Sequence, residues 1–440
     1  MWVLIKAPKR GIRRLASPHA FLPGMVIACV VLMIVIQVIA TRSGLLGPVF
    51  GLAKDFVATP TSYSVPWAGL IIAMVGLDKR MRIITLSSAL ALDVVTAGIR
   101  LLLGNRLALG NGPLIVLTVL AVFVAVRWTG VQRSLALRGM ALGALLIMAA
   151  KIAETWLFIT SLTRPMVLDE YLEVADRALG NPSWVMGNVV DASGPVGSAV
   201  LHWVYSELPF AAIIVACWQL HRVYRDPDSW PSHYLVRTFI VMGLIGPIFY
   251  FLFPVVGPIF AFGAEGNGMQ VIDAWPNLVP SLNTDPGAIP FDNFTPRNCM
   301  PSMHTAWVLS IFIHSRGGPR WLRFMGSFWL VGTLMATLGF GYHYGVDLIA
   351  GAVLCLTVES ALRDPERGWG WFRVRLVAGG SVLFVALLLS YRYLAVPIAE
   401  NAEISAPLLV GSLVVMSVVF YQTFWGRRAV AAPQIEAQLS

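Results

Sequence analysis

Apolar residues run through this chain in long blocks, separated by short polar stretches that are mostly basic. Most blocks approach the ~20 residues that a helix needs to cross hydrocarbon. Twelve are predicted as spans: Phe21 to Ala40, Ser64 to Leu77, Ile83 to Leu103, Pro113 to Val126, Gly139 to Leu162, Ser198 to Leu220, Thr238 to Phe253, Pro301 to Ser315, Phe324 to Gly341, Tyr344 to Leu362, Val374 to Val396 and Ser405 to Trp425. The second, fourth and eighth are short for a crossing. The pattern predicts an all-α polytopic membrane protein of about 12 transmembrane helices. Composition agrees: 57% of the 440 residues are hydrophobic and only 12% charged, where a soluble domain carries roughly a quarter charged.

Charge adds an orientation. Counting loops alternately, one side collects Lys6, Lys9, Arg10, Arg13 and Arg14, then Lys79, Arg80 and Arg82, then Arg127, Arg133 and Arg138, then Arg222, Arg225 and Arg237. It continues with Arg316, Arg320 and Arg323, then Arg363, Arg367, Arg373 and Arg375, and last Arg427 and Arg428. These are 23 of the 32 basic residues. The bias of Lys and Arg toward the cytoplasmic side then puts both termini in the cytoplasm. A multi-pass protein of a bacterial cell membrane is the expectation. Thr41-Arg42-Ser43 is a poor cleavage site, so the first span is expected to be retained. The net charge of +9 reflects this orientation, and no basic-aromatic surface points to nucleic acid. Cys29, Cys217 and Cys355 lie within spans, and Cys299 has no obvious partner, so no disulfide framework is implied.

Three regions follow: residues 1–138 with four spans, residues 139–362 with six, and residues 363–440 with two and a short tail. Two long loops fall on the outer side. In the first, Leu168, Leu172, Ala175 and Leu179 recur at helical spacing with acids opposite and Gly180 as a stop. An amphipathic helix at the membrane interface is predicted there. The second, Pro254 to Met300, is rich in Pro, Gly, Asn and Asp and reads as an irregular lid.

Two short segments carry candidate chemistry: Pro301-Ser302-Met303-His304 and His343-Tyr344-Gly345-Val346-Asp347. Each sets a histidine at an outer span edge. Asp347 follows His343 by four, so on a helix the two share a face. Histidine suits proton movement and nucleophilic attack on phosphorus near neutral pH, and a carboxylate behind it fixes its tautomer. Pro301 is expected at the first helical position, with Ser302 and free N–H groups at a phosphate-attracting helix N-terminus. The glycine-rich turn at Gly339-Phe340-Gly341 would return His343 beside His304. A metal site is the competing use of two histidines and a carboxylate, with Asp285 or Asp292 as further ligands. The other histidines, His19, His202, His221, His233 and His314, are expected as interface or packing residues.

Pro301 to Ala306 and Tyr342-His343-Tyr344-Gly345-Val346-Asp347-Leu348-Ile349-Ala350-Gly351 resemble the two histidine motifs of the type 2 phosphatidic acid phosphatase superfamily. Three features are similar to its inositol phosphorylceramide synthase-like branch: the histidine spacing, the run Asp169 to Gly180 with Asp176 as second acid, and Tyr250 to Pro258. The resemblance covers roughly Gly139 to Leu362. It implies a six-helix phosphatase-like catalytic core and a metal-free, cofactor-free transfer through a phosphohistidine. His343 would be the nucleophile, Asp347 its orienting partner, and His304 the acid that protonates the leaving group. Ser302 would bind phosphate, Arg297 would supply a cation, and Asp169 and Asp176 would meet the substrate's hydroxyls. The Lys-x6-Arg-Pro run of the phosphatases is absent, and Thr337 stands where they carry an arginine six residues before the histidine. These departures favour the transferase-like branch. The implied partners are a phospholipid or polyprenyl-phosphate donor and a polyol or lipid-alcohol acceptor, with a phosphatase using water as the alternative. Asp93, Lys151 and Glu154 within spans raise a third reading, a transporter, although no two-fold repeat supports it.

Overall fold

The computed structural model describes residues 21–425 apart from positions 59, 61, 105 and 106. Lys6, Lys9, Arg10, Arg13, Arg14, Arg106, Arg427, Arg428 and His19 lie outside the described residues. The first half contains α1 (Phe21–Arg42), α2 (Pro48–Val57), α3 (Ser64–Ala73), α4 (Lys79–Leu102), α5 (Asn111–Arg127), α6 (Gly130–Thr163), α7 (Asp169–Asp176), α8 (Pro182–Ala192), α9 (Gly194–Ser206) and α10 (Leu208–Leu220). The second contains α11 (Leu235–Leu252), α12 (Pro258–Ala261), α13 (Met303–Ser315), α14 (Arg320–Gly339), α15 (Gly345–Leu362), α16 (Trp371–Tyr393), α17 (Ala395–Glu400) and α18 (Ala402–Trp425). Two two-residue strands, β1 (Met166–Val167) and β2 (Ile289–Pro290), pair antiparallel and join the two long loops.

A helix forms in every apolar block, but the blocks are not equivalent. Eight helices among the described residues are long and apolar enough to cross a membrane, with α9 and α10 together as a bent ninth. The remaining apolar helices, α3, α5 and α13, are shorter. The block Ser198 to Leu220 is not one helix. It breaks by 52° between α9 and α10, because Pro209 in the first turn of α10 has no N–H to offer the preceding turn. α4 leaves most of its apolar side chains exposed, and α1 and α18 about half, as helices that face lipid on one side do.

The first helices pack through small residues. A side chain on Gly143 would stand 2.1 Å from the Gly69 carbonyl, so α3 and α6 cross with their backbones nearly in contact. The charges of this region are bound within it. Asp93 accepts from the N–H groups of Gly110 at 2.9 Å and Gly112 at 2.7 Å, and from the Trp67 indole at 3.0 Å. Arg100 donates to the carbonyls of Ala58 and Ala108 and to the side chain of Asn111. Lys151 pairs with Asp55 at 2.6 Å and Glu154 at 3.1 Å. α6 runs from this bundle into the second half, so the boundary expected at 138/139 falls inside one helix.

In the second half, α15 is the buried centre, flanked by α11, α13, α16 and α18. At its far end Glu359 is fully buried and accepts from His233 at 3.0 Å, His314 at 2.9 Å, Ser310 at 2.9 Å and Arg363 at 3.3 Å. His233 and His314 are therefore polar partners of one buried carboxylate, where interface or packing roles are expected from the sequence.

Candidate active site

At the opposite end from Glu359, the N-termini of α13 and α15 converge. Ser302 caps α13, its hydroxyl oxygen accepting from the Thr305 N–H at 3.3 Å and the Thr305 hydroxyl at 3.0 Å. The helix starts at Met303, so Pro301 lies outside it and the first-position assignment is corrected. The cap on α13 sits against α15: the Ser302 N–H reaches the Asp347 carbonyl at 3.3 Å, and a side chain on Gly351 would stand 2.2 Å from the Ser302 carbonyl. Only a glycine at 351 lets the two helix starts touch.

His343 and Asp347 do not meet through helical spacing. His343 precedes α15, and Tyr344 is the helix cap. Asp347 turns back at the third helical position to accept the Tyr344 N–H at 2.9 Å, half of a capping box. That fold-back leaves its Oδ2 3.5 Å from Nδ1 of His343, longer than an ordinary hydrogen bond. The same oxygen accepts the thiol of Cys299 at 2.6 Å. Cys299 thus has a partner that the sequence did not reveal. The His343 backbone is fixed by its N–H to the Thr337 carbonyl at 3.2 Å.

His304 and His343 face each other with ring centroids 6.1 Å apart, edge to face. Tyr205, from the last turn of α9 beside the break, stacks on His304 at 4.1 Å, with its hydroxyl 3.3 Å from Nδ1. Nothing in the motif pattern pointed to Tyr205; the only hint is an aromatic residue beside a proline-broken span. Burial pushes His343 down to about 4, so its ring is neutral at physiological pH. Cys299, His343 and Asp347 lie close enough together to hold a metal ion, but the Asp347 oxygen nearest His343 already accepts two donors from the chain.

The remaining site residues of the sequence reading lie in the roof. α7 does not rest on a membrane surface: Asp169, Leu172, Glu173 and Asp176 are all buried. Asp169 accepts from Val256 N–H at 3.0 Å, Gly257 N–H at 2.8 Å and the Tyr344 hydroxyl at 2.9 Å. Asp176 accepts the Val346 N–H at 2.9 Å, capping the start of α15, and Gly345 leaves room for its approach. Seven residues apart, the two acids share a face of α7 and hold the segment that carries His343. Burial raises both, Asp169 to about 6 and Asp176 to about 8, and the N–H donors oppose it. Arg297 is also buried, its guanidinium donating to the carbonyls of Arg164, Thr295 and Asp292. The roof is knit further by Glu170 to the Gly287 N–H at 2.7 Å and by Trp184 to the Leu278 carbonyl at 3.0 Å. The structure therefore gathers His304, His343, Asp347 and Ser302 at one point and engages Asp169, Asp176 and Arg297 with the chain around it.

Residues 170–360 match the family model described as the PAP2 superfamily. Residues 21–159 match a model described as a domain of unknown function, DUF5933. Neither the curated proteins nor the solved structures give a match. The first match contains His304, His343 and Asp347, and supports a membrane enzyme of the phosphatase or phosphotransferase type acting on lipid phosphates.

Proposed function

We propose, with the match over residues 170–360 as premise, that this chain is a lipid phosphotransferase working through a phosphohistidine. The observation that carries the reading is the pair of histidines on two touching helix starts, 6.1 Å apart, with Asp347 behind His343. Nε2 of neutral His343 attacks the phosphorus of the donor lipid. The P–N bond forms as the P–O bond to the lipid alcohol breaks, and His304 gives that oxygen its proton. The Asp347 carboxylate stabilises the positive charge that develops on the His343 ring. An acceptor alcohol then gives its proton to His304 and attacks phosphorus, releasing His343. In this reading Ser302 and the first N–H groups of α13 hold the phosphate oxygens. Asp169, Asp176 and Arg297 act as positioning residues in this scheme.

Transfer rather than hydrolysis is favoured by the roof of α7, α8 and the loop over residues 254–300, because water competes with the acceptor for the phosphohistidine. The resemblance to the inositol phosphorylceramide synthase-like branch suggests the substrates, a phospholipid or polyprenyl-phosphate donor and a polyol or lipid alcohol. The loop charges place the site on the outer face in this reading. Purified protein given a ³²P-labelled lipid phosphate should form an acid-labile phosphoenzyme that His343→Ala abolishes. Added alcohol should divert label from free phosphate into a new ester. Free phosphate alone, whatever the alcohol, would make the enzyme a phosphatase. A cysteine at exposed Asn293 should react with an impermeant reagent in intact cells; protection until lysis would reverse the topology.

A further inference from the structure

Below the histidines lies a cavity of about 420 Å³, within the range of roughly 300–1,000 Å³ typical of ligand sites. Its walls come from α3, α6, the end of α9, α10, α11 and α13, and nearly every lining group is apolar. The space exists because large side chains are missing. Ala150 and Ala153 on α6 and Ala212 and Ala216 on α10 present methyl groups where helix packing would take Leu or Phe. On α11, a side chain added at Gly243 would meet nothing within 4 Å. The lining carboxylate, Glu154, is held by Lys151 at 3.1 Å.

One end of the cavity is chemical. His304 and Tyr205, in contact with each other, are both part of the lining, whereas His343 is not. The void therefore adjoins the histidine on the leaving-group side of the reaction and stays away from the nucleophile. We infer that the cavity holds the hydrocarbon tail of the donor lipid, the part that departs as alcohol at His304, and that α3 and the stretch of α6 up to residue 157 form the wall that selects it. This rests on the phosphotransfer reading above. It gives the region matched by residues 21–159 a task in the reaction: measuring the donor's tail.

The test compares turnover of dioleoyl phosphatidic acid with that of p-nitrophenyl phosphate, whose leaving group has no tail, in one detergent. Gly243→Leu and Ala153→Phe fill the cavity from α11 and α6. Each should lower kcat/KM for the dioleoyl lipid relative to the soluble ester by at least ~10-fold. A ratio within about 2-fold of wild type in both variants would overturn the inference. Wild-type protein inert on both substrates would instead count against the phosphotransfer reading. Should the variants lose both activities, a second measurement decides. His343→Ala protein is irradiated with a phosphatidic acid carrying a diazirine in mid-chain, and the labelled peptides are sequenced. Label in residues 146–157 and 208–216 supports the assignment, and label confined to other helices overturns it.

Discussion

Asp169 accepts a hydrogen bond from the hydroxyl of Tyr344 at 2.9 Å, across 175 residues of chain. The roof is thereby fastened to the residue next to His343. Asp176 makes the second fastening one residue beyond α15's first, at Val346.

The clamp predicts a paired loss. Asp169→Asn keeps one acceptor oxygen but sets its amide N–H against one of the two backbone N–H donors, from Val256 or Gly257, and should cost about 1–3 kcal/mol of stability. Tyr344→Phe removes a single bond and should cost about 1 kcal/mol. Turnover should fall further for Asp169→Asn than for Tyr344→Phe, in step with the loss of thermal midpoint. Full activity in Asp169→Asn would show that the roof does not position His343.

His304 and Tyr205 predict a dependence on the leaving group. An activated aryl phosphate needs little protonation as its oxygen departs, so His304→Ala should lose far less rate on it than on a lipid phosphate. Tyr205→Phe keeps the stacked ring and removes only the hydroxyl 3.3 Å from Nδ1, and should show the same pattern more weakly. Equal losses on both substrates would remove His304 from the acid role.

Acidity offers a separate check. Burial holds His343 near 4, well below the usual value for histidine, so the nucleophilic form persists as pH falls to that point. Protonation takes away the attacking lone pair. The acid limb of kcat/KM attributable to His343 should therefore lie near pH 4. A limb near 6.5 that vanishes with His343 would mean that the ring is more solvated than its packing implies.

Loosening the roof should change the fate of the phosphohistidine. Replacing Gly287 to Pro290 with a flexible linker removes the Glu170 contact and the β1–β2 pairing. Free phosphate should rise relative to transfer product. If both rates fall together at a fixed ratio, the loop has no part in excluding water.

Hydrophobic periodicity reveals a helix wherever a span is long and apolar, because backbone groups there must pair within the segment. It was silent on the bend between α9 and α10, which one proline produces locally, and on the burial of α7, which depends on what covers it. His304 and the His343–Asp347 pair stood out through residue type and spacing. The capping box that joins the latter pair was hidden by the assumption that the helix began earlier. Arg297, Asp169 and Asp176 read from residue type as substrate-binding charges, yet each is taken up by the chain: Arg297 by the carbonyls of Asp292, Thr295 and Arg164, Asp169 by Val256, Gly257 and the Tyr344 hydroxyl, and Asp176 by the start of α15. The Glu359 cluster escaped for the same reason: His314 and His233 lie 45 and 126 residues from it in sequence.

The 34 residues of α6 make a rod of roughly 50 Å, longer than the ~30 Å of hydrocarbon it would cross. Both matched regions meet at its end, since one stops at residue 159 and the other begins at residue 170. Yet one side of the rod packs on α1 and α3 while another packs on α11. Descent can shuffle independent cassettes, but a wall shared by two rooms travels with both. A catalytic half cut away at residue 160 would keep its histidines and lose the partition against which its neighbours are built.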